Sequence, residues 1–350
     1  MKIALVGPLD SPVKKDALAG SEIWTYNFAE QLKMRGISTS LYAASGSEFN
    51  GELITTVDYK DLLESDGGNI SKTKFAFFSI SEMVQVVHDQ AKYDLIHLSV
   101  FSLTYYIPLI KLITKPVIIT LHGLSFKKED AKILLSKIPK ANFAVISNSF
   151  LTDWDSPRNY KVIYNGISLP DFPFAMGKRK YFFWMSRISK EKGVEDAIKF
   201  AQKTKEELII AGPIRDEEYF NQYIKPNLNS KIRYVGSLGF KEKVKYYQGA
   251  KAFLMPVKWE EPFGLVAVEA MACGTPVIAY DRGALPEIIS NGIDGFIVKP
   301  DDIDGLIKAA KKIAEIDRRK CREKVEKHFT LEKMVDEYLD YYKEIIKIKK

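Results

Sequence analysis

The sequence predicts an α/β protein made of two doubly wound, parallel-sheet domains in tandem. Short β-branched or aromatic runs alternate with polar helical stretches along the chain, the pattern of a parallel sheet covered by helices. The alternation breaks at residues 170–180 and then restarts. At 350 residues and 46% hydrophobic content, the chain exceeds one compact core and suffices for two.

In order along the chain, residues 3–6, 39–43, 95–98, 117–121, 143–146 and 162–164 read as strands of the first sheet. Residues 21–35 contain neither glycine nor proline and Gly36 supplies a stop, so the first crossover helix fills that stretch. Pro170, Pro173, Gly177, Lys178, Arg179 and Lys180 read as a linker. Runs at 181–185, 208–211, 232–235, 252–255, 276–280 and 295–298 then form the second sheet, separated by helical patterns such as 194–201. Leu331, Met334, Val335, Tyr338, Leu339, Tyr342, Ile345 and Ile346 have helical apolar spacing, and Lys347, Lys349 and Lys350 follow. That helix reads as docked on a domain surface, with a membrane-facing role as the minority reading. The domains so drawn are 1–169, 170–329 and a closing helix, 330–350.

Composition narrows the partners. The 52 basic and 45 acidic residues give a net charge of +7 spread along the chain, too weak for nucleic acid. It suits a polyanionic small molecule or an acidic membrane surface equally. Cys273 and Cys321 are the only cysteines, and their spacing fits no zinc site, redox pair or disulfide framework. The opening apolar run is too short for a signal peptide, and no segment reaches membrane-spanning length. The expectation is a soluble cytoplasmic protein, with peripheral contact at the inner face of the membrane as the alternative.

In the stretch from Glu260 to Ala270, Pro262 and Gly264 stand at the entrance of a helix whose first amides are unpaired and favour an anion. Glu261 stays on the loop and Glu269 rides the helix, on the order of 12 Å along it. Carboxylates so placed can hold hydroxyls at both ends of a ligand whose middle is a diphosphate, which is the layout of a sugar nucleotide. An acidic, capped helix end is the competing explanation. It is weakened because Glu269 lies among Val268, Ala270 and Met271, where an unpaired carboxylate is costly, so a ligand partner is expected there.

At the end of the first strand after the linker, Arg187 offers a bidentate fork and Lys192 a mobile point charge, both suited to a diphosphate gaining charge as its bond to sugar breaks. Lys190 reads as solvated loop. Gly20, in Ala19-Gly20-Ser21-Glu22, lets backbone approach a ligand. His122 ends a strand, where a hydrogen-bonding group for a sugar hydroxyl belongs.

Together these residues resemble glycosyltransferase family 4, the retaining group 1 glycosyltransferases with the GT-B fold, over residues 1–329. Glu261 to Glu269 looks like the family's E-x7-E motif, Arg187 with Lys192-Gly193 like its R-x4-KG motif, and Ala19 to Glu22 like its glycine loop. Tyr164-Asn165-Gly166-Ile167, Ala211-Gly212, Val235-Gly236 and the string from Arg282 to Glu287 also stand where the family has similar ones. The departures are Ala19 for a glycine, Ser186 for a glycine, and Leu98 after His97 where many relatives continue toward a second histidine.

The resemblance implies two Rossmann-like domains facing across a donor cleft, and a closing helix that returns to the first. Arg187 and Lys192 would hold the donor diphosphate, Glu269 the ribose hydroxyls and Glu261 the transferred sugar. Phe263, Gly264, Leu265 and Val266 would give backbone contacts, His122 would face the sugar and Gly20 the phosphates. It implies transfer of a hexose from a UDP-, GDP- or ADP-sugar to a hydroxyl of a glycan, glycolipid or small metabolite. Anomeric retention would follow from front-face attack, with the departing phosphate taking the acceptor's proton. No metal and no cofactor is implied, the nucleotide-sugar being a co-substrate. Of two D-x-D strings, Asp302-Ile303-Asp304 reads as helix capping and Asp153-Trp154-Asp155 as a surface motif. The competing functions are a glycoside hydrolase, which needs two carboxylates facing one bond, a sugar-nucleotide epimerase of the same fold, and a nucleotide-sugar sensor that does not turn over.

Overall fold

The computed structural model describes the chain except residues 18–19, 65–68, 101, 124–127, 152–158, 178 and 349–350; at 128, 129, 131, 151 and 348 it describes backbone only. The chain divides into two compact units, one of Met1–Tyr164 with Leu331–Lys350 and one of Asn165–Thr330.

The first unit holds a seven-stranded sheet in the order β3-β2-β1-β4-β5-β6-β7. These are Lys2–Val6 (β1), Ser38–Ala44 (β2), Glu52–Val57 (β3), Leu95–Leu98 (β4), Val117–Leu121 (β5), Asn142–Val145 (β6) and Tyr160–Val162 (β7). The second unit holds Tyr181–Met185 (β8), Leu208–Ala211 (β9), Ile232–Tyr234 (β10), Ala250–Met255 (β11), Val277–Tyr280 (β12) and Gly295–Val298 (β13), in the order β10-β9-β8-β11-β12-β13. Every pairing is parallel. Central strands such as β1, β5 and β9 are near-continuous aliphatic runs because helices cover both faces of a parallel sheet. In each sheet the strand order reverses beside the first strand, β1 or β8, and ligand-binding loops in such sheets gather at the strand ends there.

Three sequence expectations change. β3 was not among the expected strands: it is an edge strand with most of its residues partly exposed, so Glu-Leu-Ile-Thr-Thr-Val lacks the apolar continuity of its neighbours. The first boundary falls after Tyr164, not after 169, because Ile167 already bridges Thr330 and donates from its amide to the Phe329 carbonyl at 2.9 Å. The expected linker is a packed arm of the second unit. Phe172 is buried, Gln248 and Arg322 side chains donate to the Pro173 and Phe172 carbonyls at 2.7 Å each, and Phe174 lies so close to Gly274 that a Cβ there would sit 2.5 Å from its ring.

The final helix, Leu331–Ile348, belongs to the first unit. Its Leu331, Met334, Val335, Tyr338, Tyr342 and Ile345 share one core cluster with Trp24, Phe28 and Leu32. Burial of such side chains stabilises by roughly 1.5–3 kcal/mol each before entropy is counted. Polar atoms inside this cluster are matched: Tyr342 Oη meets His97 Nδ1 at 2.5 Å, His97 Nε2 meets Thr120 Oγ1 at 2.7 Å, and Thr120 Oγ1 meets Tyr338 Oη at 2.8 Å. Burial, with the neighbouring His122, holds the His97 pKa well below its usual range, so the ring is neutral, one nitrogen donating and the other accepting. Its apolar face thus occupied, this helix has no stripe to offer a membrane.

Candidate active site

After β8 the chain passes Arg187 and makes a tight turn, Lys190–Lys192, closed by Gly193 at φ 72°. A Cβ on Gly193 would lie 1.8 Å from the Pro256 carbonyl oxygen, so only glycine lets this turn press against the loop that follows β11. The Lys258 amide donates to the Glu191 carbonyl at 2.8 Å and fastens the two together.

That contact joins the two sequence motifs. Lys192 Nζ lies 3.0 Å from Glu261 Oε2 and 4.0 Å from the centroid of the Trp259 ring, whose Nε1 donates to the same oxygen at 2.8 Å. The two charged side chains are only 10% and 12% exposed, so their attraction is little screened. Glu261 Oε1 has no partner among the described residues.

Glu261 is fixed from the backbone side by the loop after β12. The Ala284 amide donates to the Glu261 carbonyl at 2.9 Å and the Gly283 amide to Glu260 Oε2 at 2.6 Å. A Cβ on Gly283 would lie 2.3 Å from the Glu261 carbonyl oxygen. Glu260 is thereby a tie between loops, paired also with Arg282 at 3.2 Å.

Gly264, at φ 97°, caps the helix Leu265–Ala272 with no side chain, and the Leu265 and Val266 amides donate to no atom of the described residues. Two bare N–H groups at a helix start are an anion site in form. The Phe263 ring is buried against Phe329, centroids 5.9 Å apart, which anchors the loop and leaves only its backbone for a ligand.

Glu269 corrects the sequence reading. It is not short of a protein partner: the helix Phe240–Gly249 lies alongside and supplies Lys243 Nζ at 2.8 Å and Tyr247 Oη at 2.9 Å. Burial and the nearby carboxylate push the Tyr247 phenol well above its ordinary pKa, so it remains a donor. Each oxygen of Glu269 keeps a second lone pair for an incoming hydroxyl.

Arg187 is exposed and makes no hydrogen bond or close ion pair among the described residues. Burial acts to raise the Glu191 pKa, but the Ser189 hydroxyl at 2.6 Å, its own backbone, Arg187 and Lys192 outweigh it and leave the carboxyl below its ordinary value. Lys190 is exposed.

In the first unit, Gly20 is the exposed opening residue of the helix Gly20–Met34; Ala19 lies outside the described residues. Two residues on, Glu22 is fully buried and accepts from Ser11 Oγ at 2.9 Å and Ser21 Oγ at 2.6 Å. His122 follows β5. Its Nε2 lies 2.9 Å from Ser99 Oγ, which lies 2.9 Å from Thr25 Oγ1, and Trp24 stands edge-on with ring centroids 4.8 Å apart. Burial pushes the His122 pKa down to about 3, so the ring is neutral at physiological pH and acts as a hydrogen-bonding group, not as an acid.

Of the D-x-D strings, Asp302 caps the helix Ile303–Lys312 by accepting from the Gly305 amide at 2.8 Å, and Asp304 pairs with Lys203 at 2.9 Å. Asp153 and Asp155 lie outside the described residues. Sequence reasoning missed Trp259, Lys243 and Tyr247. Trp259 stands two residues before Glu261 and was open to notice; Lys243 and Tyr247 share a helix face by their spacing of four, but nothing in the sequence ties that face to Glu269.

Residues 171–328 match the family described as glycosyl transferases group 1. The chain is 29% identical over 328 residues to an uncharacterized 41.2 kDa protein in the cps region of Klebsiella pneumoniae, covering 81% of this chain and 87% of that one. It is 33% identical over 164 residues to glycogen synthase of Mycobacterium tuberculosis, 44% of this chain but only 39% of the synthase. Among solved structures, sucrose-phosphate synthase from Thermosynechococcus elongatus is similar with a TM-score of 0.80 at 21% identity, over 99% of each chain. An Anabaena protein in complex with UDP and glucose is similar with a TM-score of 0.77 at 18% identity, over 98% of this chain and 100% of that one.

Proposed function

We propose that this chain, whose residues 171–328 match the group 1 glycosyltransferases and whose fold is GT-B, is a retaining hexosyltransferase of that group that uses a nucleotide-sugar, with a UDP-hexose as first choice. The observation that carries this reading is the Lys192–Glu261 pair at 3.0 Å beside the two bare amides of Leu265 and Val266. Cation, carboxylate and helix amides together are the set that a sugar diphosphate needs. The choice of uridine draws on the Anabaena protein, which is known in complex with UDP and UDP-glucose. The acceptor is a hydroxyl of a glycan, glycolipid or small metabolite.

On this reading each group has one task. Lys192 keeps Glu261 in place and turns its remaining protons to the diphosphate, and Arg187, held by nothing else, closes on the same phosphates. Glu261 Oε1 accepts from a hydroxyl of the transferred sugar, and Glu269 accepts from the ribose. The role proposed for neutral His122 is a hydrogen bond to a sugar hydroxyl, and for Gly20 a close backbone approach to phosphate. As the bond from anomeric carbon to phosphate lengthens, charge on the leaving oxygen is met by Arg187, Lys192 and the amides of Leu265 and Val266. That oxygen takes the proton of the acceptor hydroxyl as the hydroxyl attacks from the same face, so the configuration is retained. Because fixed cations and amides already meet the leaving group's charge, we assign no task to a metal or a further cofactor.

A thermal-shift panel of UDP, GDP, ADP and their sugars tests the donor, followed by mass analysis of products and by the anomeric configuration of the product. A ligand at a hundredfold its Kd stabilises by about 2.7 kcal/mol, so the true donor stands out. We expect the UDP-hexose arm to shift most, product to form at an unchanged rate in EDTA, and Glu261→Ala and Lys192→Ala each to abolish transfer in folded protein. Near-wild-type transfer by both variants would sink the assignment.

A further inference from the structure

We propose that the outer face of the helix Lys72–Asp89 docks on an anionic lipid surface. This 18-residue helix buries Phe75, Ser79, Glu82, Met83, Val86 and Asp89 against the first unit. On its opposite side Phe77, Ile80 and Val84 are 64%, 44% and 52% exposed, at spacings of three and four that set them in one stripe. Three large apolar side chains in a line are not the scattered exposure usual for a surface, and they mark a contact face.

The charges around the stripe choose the occupant. The ionisable residues at exposed positions of this helix are Lys72, Lys74 and His88, and no acid is among them. Its two acids are turned inward and engaged: Glu82 accepts from Tyr106 at 2.9 Å and Thr56 at 3.0 Å, and Asp89 accepts from Tyr42, Gln85 and Lys92. At the C-terminal end of the helix, Gln90 accepts from the Thr114 amide at 2.7 Å and donates to the Leu112 carbonyl at 3.4 Å, bringing up Leu112, itself 57% exposed, with the exposed Lys111 beside it.

An apolar stripe on a helix whose own exposed charges are all cationic fits acyl chains below a layer of negative headgroups. A second copy of the chain fits worse, since a two-fold contact through this helix would bring no exposed acid of the helix opposite its lysines. No helix among the described residues is long and apolar enough to cross a membrane, so the contact is one of lying on the surface.

The test spins the full chain with vesicles of phosphatidylglycerol and phosphatidylcholine, and with phosphatidylcholine alone, at low and high salt. The protein should sediment with the anionic vesicles only, and release in high salt. Lys72→Gln and Lys74→Gln should each weaken binding about fivefold. The triple variant Phe77→Ser, Ile80→Ser, Val84→Ser should weaken it at least about tenfold with an unchanged melting temperature. Protein left in the supernatant with anionic vesicles would overturn the proposal, as would a triple variant or both lysine variants that bind like wild type. A wild-type dimer that the triple variant converts to monomer would overturn it in favour of a second copy.

Discussion

A double-mutant cycle on Lys192 and Glu261 measures whether the two motifs work as one unit. Lys192→Met keeps the stem over the Trp259 ring and removes only the charge; Glu261→Gln keeps the shape and the acceptor oxygen for the indole. At 3.0 Å and an effective dielectric of about 20, gross attraction is roughly 5 kcal/mol. Desolvation of two side chains only 10% and 12% exposed offsets most of that, leaving a coupling of about 1–3 kcal/mol. Each single variant strands the other partner and should cost about 3 kcal/mol, while the double variant costs less than the sum by the coupling. Thermal unfolding reads this as about 2–4 °C per kcal/mol for a unit of this size. Transfer should fall about a hundredfold to a thousandfold in the Lys192 variant, the usual cost of one lost group on a leaving oxygen. Costs that add within about 0.5 kcal/mol would refute the coupling.

Gly193→Ala forces a side chain onto the Pro256 carbonyl and a positive φ on alanine, so it should destabilise the second unit by about 3 kcal/mol and suppress transfer, read by melting temperature and rate; an unchanged melting temperature would refute the close approach. Glu82 is pushed up to about 8 from an ordinary 4.5 by burial, against the lowering effect of Tyr106 and Thr56. Between those values the folded state binds more protons than the unfolded, so Glu82 makes stability fall as pH rises from about 4.5 to about 8, by at most about 1.4 kcal/mol per unit, and level above. Glu82→Gln should flatten that limb and melt higher than wild type at pH 8, in melting temperatures taken across the range; an unchanged slope would show that Glu82 does not titrate there.

Much of the architecture was legible because the strands that carry it are buried on both faces. Leu95–Leu98, Val117–Leu121 and Leu208–Ala211 agree with their expected ends because apolar continuity and burial coincide there, Tyr181–Met185 agrees through an unbroken aromatic and apolar run, and Gly295–Val298, though an edge strand, keeps the apolar run that the edge strand Glu52–Val57 lacks. Glu52–Val57 was illegible because an edge strand buries little of itself, and 170–180 misled because prolines and basic residues masked Phe172 and Phe174, which do the packing. At the site, spacing indicated Arg187, Lys192, Glu261 and Glu269 but said nothing of what they touch. That Lys192 and Glu261 meet depends on Gly193 and Gly283 bringing three loops together from distant parts of the chain, and the partners of Glu269 come from a helix that no spacing rule connects to it.

The return of the last helix sets an order of events at the ribosome. Domains generally fold as they emerge, the earlier one first. Here the second unit is one unbroken stretch, Asn165–Thr330, whereas the first is completed only by Leu331–Lys350. Until those residues emerge, Trp24, Phe28 and Leu32 lack the apolar partners that cover them, and His97 and Thr120 lack the two tyrosine hydroxyls that satisfy them. Of the two units, the one begun first is therefore the one finished last, and its nascent form must be kept from sticking until Leu331–Lys350 has emerged.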